Sequence, residues 1–120
     1  MYIVGFVIPV PEDRLEHYRL WSRQAAALLM EYGCLEIVEA WEDHVPVGKH
    51  TDFRRAVRAR PEEKIVFSWQ KWPDRASLDA VEKAMSEDPR FDPPGGAPFD
   101  QKRLIMGCFA PILSTASDRA

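Results

Sequence analysis

The run YIVGFVI at residues 2–8 is apolar on both sides of an extended chain, and so is much of the segment 103–113 near the other end. Successive side chains of a strand point to opposite faces of its sheet. Tyr2, Val4, Phe6 and Ile8 therefore share one face, with Ile3 and Val7 on the other. Likewise Leu104, Met106 and Cys108 stand against Ile105 and Phe109. Strands apolar on both faces are buried on both faces, so the sheet must be covered twice.

Between these runs the hydrophobic period changes twice. Pro11, Glu12 and Asp13 suit a helix start, because proline lacks the N–H that would go unpaired there and acidic charge favours the helix dipole. Leu15, Tyr18, Trp21, Ala25, Leu28, Leu29 and Tyr32 then recur at helical spacing up to Gly33, which supplies a stop. Residues 34–41 read as a second strand in which Glu36 and Glu39 break the apolar pattern, as suits a sheet edge. A long irregular connection over 42–63 follows, in which Phe53 to Val57 can make a short turn or an extended segment, and then a third strand over 64–72 that Pro73 ends. Asp74 caps a second helix whose stripe is Leu78, Val81 and Met85. The string DPRFDPPGGAPFD at 88–100 holds four of the ten prolines and two of the six glycines, which predicts a loop or lid before the fourth strand.

The predicted order is β-α-β-β-α-β, an α+β domain over residues 1–113 with a flexible polar tail at 114–120. Right-handed crossovers put both helices on one face of a four-stranded sheet. The other face is left apolar and uncovered. Its simplest cover is the same face of a second copy, so the chain is expected to form a homodimer.

With 120 residues, 46% of them hydrophobic, the chain has the usual size of one domain. Sixteen basic against nineteen acidic residues leave a net charge of -3, which repels a phosphate backbone and argues against nucleic acid as a partner. The first apolar run lacks the basic flank of a signal peptide, and no stretch has the length of a membrane span. A cytoplasmic protein without a membrane partner is expected. Cys34 and Cys108 are too few for a disulfide scaffold and read as buried thiols. The dispersed His17, His44 and His50 do not make a metal site, and no metal or other cofactor is expected.

The strings GFVIPVP (5–11), GCLEIVEAWEDHVPVGK (33–49), VFSW (66–69), DPR (88–90) and APFDQKRLIMGCF (97–109) resemble the YbaA-like family, domain of unknown function 1428. The resemblance spans most of the chain. It implies a ferredoxin-like fold of the dimeric α/β-barrel superfamily, with a four-stranded antiparallel sheet and two helices on one face. The family brings no established reaction. Its superfamily includes cofactor-free monooxygenases, isomerases and haem-handling proteins, and a shared fold licenses none of these activities. The chain departs from the family pattern at His44 and at Cys108.

Several polar residues are candidates for ligand contact. Asp43 and His44 sit between the second strand and the long connection, where a carboxylate and an imidazole can serve as base and acid, although adjacent extended residues point opposite ways. Asp100 and Arg103 flank the fourth strand, and their charges suit an ion pair that pins the lid, or an arginine fork on an anion. Ser68 and Gln70 share one face of the third strand and need partners if buried. Trp69 points to the opposite face. Two readings follow: a homodimer that binds a small molecule, or a cofactor-free enzyme of monooxygenase or isomerase type. The first is preferred because no acid–base pair stands out.

Overall fold

The computed structural model describes residues 1–116, so the last four residues of the expected tail lie outside the described part. Strand β1 (Tyr2–Pro11) leads through a 3-10 turn at Glu12–Arg14 into helix α1 (Leu15–Glu31) and then strand β2 (Glu36–Trp41). Next come a single helical turn α2 (Phe53–Ala56), strand β3 (Glu63–Trp72), helix α3 (Arg75–Glu87), a second 3-10 turn at Pro89–Phe91, and strand β4 (Ile105–Phe109). The strands form one sheet in the order β2-β3-β1-β4, antiparallel throughout. This is the expected α+β architecture with the ferredoxin-like strand order.

The even-numbered residues of β1 and β3 face the long helices, and this side is the near face. Val4, Trp72, Leu29, Leu78 and Val81 bury one half of the core, while Ile8, Val10, Val66 and Tyr18 bury the other. Burying an apolar side chain of this size contributes about 1.5–3 kcal/mol. The molecule measures 40 × 38 × 21 Å, and its thin dimension is that of two layers, sheet and helix, without a third.

Two strand boundaries differ from the sequence expectation, each for a backbone reason. β1 continues through Pro9 and Pro11. The Glu12 amide donates to the Glu62 carbonyl on the β3 side, so ladder alternation turns the proline nitrogens to the β4 side. There β4 has already ended its pairing, at Val7 opposite Ile105, and a proline costs no ladder bond on such an edge. β4 itself stops at Phe109, short of Pro111, and Ile112 and Leu113 stand in solvent instead of in a strand. The long connection also contains α2, nucleated by Asp52, whose carboxylate accepts from the Arg55 amide at 2.8 Å. Phe53 of this turn packs edge-on against Phe67 of β3, with ring centroids 5.9 Å apart. One end of the far face is thus covered by the chain itself, and Ile65 there is buried.

The remainder of the far face is open. Phe67, Ile105 and Phe109 are each about half exposed, and with Ile3, Val7 and Trp69 they line a shallow groove of about 460 Å³. Gly5 and Gly107, paired across β1 and β4, form its floor. The Phe109 ring lies over them. A Cβ at Gly107 would come within 2.8 Å of that ring, so only glycine lets it lie flat.

Candidate functional site

On the near face the β2–β3 register sets Glu39 opposite Ser68 and Ile37 opposite Gln70. Strand alternation points all four toward α1. Tyr18 of α1 is almost fully buried, and its hydroxyl donates to Glu39 Oε1 at 2.5 Å. The Ser68 hydroxyl, also buried, donates to Oε2 of the same carboxylate. Burial first, and then the charge and hydrogen bond of Glu39, push the Tyr18 phenol far above its ordinary value of 10.0, so it stays a proton donor at any ordinary pH. Gln70 Oε1 accepts from the Trp72 indole at 3.0 Å, an interaction that fixes which way the amide faces.

This cluster sits at a hollow of about 280 Å³ between the sheet and α1. Phe6, Ile8, Leu29, Ile37, Trp21 and Phe99 supply apolar walls. A largely apolar hollow with a few convergent polar groups has the character of a small-molecule site, just below the usual volume of about 300–1,000 Å³. The proline-rich segment roofs it. Phe99 meets Trp21 edge-on at 5.2 Å and Tyr18 at 5.9 Å, and Phe91 meets Tyr32 at 5.6 Å. The Tyr32 hydroxyl donates to Asp88 at 2.8 Å, and Arg90 bridges Asp88 and Glu31, tying the start of the roof to the end of α1.

Of the residues singled out by sequence, Ser68 and Gln70 line this hollow. Trp69 lies on the far face, in the groove beside Phe67. Arg103 forms a two-toothed ion pair with Glu63 at 2.7 and 2.6 Å, while its Nε donates to Asp100 at 2.9 Å and Nη1 to the Arg58 carbonyl at 3.0 Å. That knot joins the roof's end to the long connection. Asp43 and His44 are exposed, and neither makes a hydrogen bond or ion pair among the described residues. Cys34 is buried, but Cys108 is exposed on edge strand β4, a departure from the expectation of two buried thiols. No group of His, Cys, Asp and Glu suited to a metal ion occurs among the described residues, and no helix there is long and apolar enough to cross a membrane.

Glu39 and Tyr18 were not legible as site residues. Glu39 reads as a break in an edge strand, and Tyr18 as one member of a core stripe. A signal did exist: Glu39 has the same parity as Ile37 and Trp41, which places it on the near face with them, although it stays exposed.

A family profile described as "Protein of unknown function (DUF1428)" matches residues 1–101. The chain is 46% identical over 113 residues to proteins named "Uncharacterized protein YbaA" from Escherichia coli strain K12 and from Shigella flexneri. The alignment covers 93% of this chain and 97% of those relatives.

Proposed function

As the chain belongs to the DUF1428 family, described as one of unknown function, we propose that it works as a cytoplasmic homodimer that holds a small molecule in the near-face hollow of each subunit. The observation that carries the ligand reading is the Glu39 carboxylate, oriented by Tyr18 and Ser68 at the edge of a largely apolar hollow. Arranging buried hydroxyls to hold one carboxylate costs desolvation that packing alone does not require. The homodimer reading is supported by the open apolar groove on the far face. A ligand screen by thermal shift tests the site. A hit should be weakened in Ser68→Ala and kept in Trp69→Ala, whose side chain serves the other face. The reverse pattern would move the site to the far-face groove.

A second reading, a cofactor-free enzyme of monooxygenase or isomerase type, is favoured by the same cluster. A carboxylate with free lone pairs, oriented by two hydroxyls beside one hollow, is placed to act as a general base. Turnover of a bound compound that is lost in Glu39→Gln while its binding persists would establish this reading, and binding without turnover would remove it.

A further inference from the structure

Glu39, itself solvent-exposed, is held by two neutral donors, Tyr18 and Ser68. The arginines Arg19, Arg54, Arg55, Arg75, Arg90 and Arg103 pair with other carboxylates. Arg90 is the one base among the described lining residues, and Asp88 and Glu31 already engage it. The exposed Glu39 carboxylate therefore presents a negative charge at the hollow that the one lining arginine does not neutralise. The Tyr18 and Ser68 protons are spent on Glu39 itself, so what these three side chains still offer a ligand is lone pairs. Gln70 adds its amide N–H groups, since its oxygen is taken by Trp72. Beside the carboxylate stand the rings of Tyr18, Trp21 and Phe99, mutually 5.2 to 5.9 Å apart. Aromatic faces attract ammonium groups through the ring quadrupole. A charged donor gains more from a carboxylate than a neutral one does, whereas an anion is repelled by Glu39 and meets only neutral amide donors, those of Gln24, Gln70 and Gln101, beside the engaged Arg90.

We propose that the hollow takes an organic ammonium ion with an apolar body, its nitrogen at Glu39 and its body against Phe6, Leu29 and Phe99. This rests on the ligand-binding reading above and names the class of ligand. Three probes of nearly one shape separate the head-group charges: phenethylammonium, phenethyl alcohol and phenylacetate. Each is titrated by calorimetry into the full chain at neutral pH. The ammonium probe should bind on the order of tenfold or more tighter than the alcohol, and phenylacetate should bind weakest. Glu39→Gln should remove the ammonium probe's advantage while leaving the alcohol's affinity in place. The comparison on the unaltered chain stands even if that variant does not fold. Alcohol or phenylacetate binding as tightly as the ammonium probe overturns the charge assignment and leaves the ligand reading intact, as does an advantage that survives in Glu39→Gln. If none of the three binds at millimolar concentration, the ligand reading falls and this proposal with it.

Discussion

Glu63 is only 3% exposed, and its carboxylate is met by two guanidinium nitrogens of Arg103. The Arg60 amide adds a third donor at 2.7 Å. The hydrogen bonds from Arg103, chief among these effects, hold the Glu63 carboxyl below its ordinary 4.5, against the opposing cost of burial. A carboxyl with a lowered folded value contributes stability that is whole above its unfolded value and is lost as pH falls through the folded one. Glu63→Gln should therefore cost about 1.5–3 kcal/mol at neutral pH. The deficit should shrink at acid pH, where the parent has lost the same contribution. Urea midpoints at both pH values check this. Arg103→Ala should cost more, about 3–5 kcal/mol, because it strands a buried charge. At the cavity, Tyr18→Phe keeps the ring and removes one donor to Glu39. It should cost about 1–2 kcal/mol in the same assay.

At the scale of elements, the roof over the near-face hollow is held by rings at one end and ions at the other. Phe99→Ala removes the contacts to Tyr18 and Trp21 and should destabilise by about 1–2 kcal/mol. Amide exchange should quicken over residues 88–103 and stay unchanged in β3. The elements themselves were largely legible from sequence. The stripe from Leu15 to Tyr32, the alternation of β3 and the Asp74 cap are local signals, and Asp74 does accept from the Ser77 amide at 2.8 Å. What was not legible depends on neighbours far along the chain. Pro9 can stay in β1 only because β4 ends opposite Val7, and no local pattern records where another strand stops. Between the turn and the extended segment that the sequence allowed at Phe53 to Val57, Asp52 decides for the turn by gripping both the Gly48 and Arg55 amides. Glu39 became a site residue only through its register with Ser68 and the approach of Tyr18 from α1.

For the molecule as a whole, the two faces of the sheet are finished differently. The helices and roof close the near face around a hollow, while the chain covers the far face at one end, with Phe53 over Phe67. The expectation that no helix reaches the far face was too simple, yet the open part still carries Phe67, Trp69, Ile105 and Phe109. Exposed apolar groups so grouped mark interaction surfaces, and a standard interface buries about 800 Å² on each partner. A charge placed in such an interface opposes a second copy without touching the intrachain core. Ile105→Lys should weaken self-association on the order of tenfold or more and leave thermal unfolding of the subunit nearly unchanged. The pairing itself is tested most directly by sedimentation velocity of the unaltered chain across micromolar concentrations. A single species with twice the chain mass is the result predicted, and a species of single-chain mass throughout that range would contradict it.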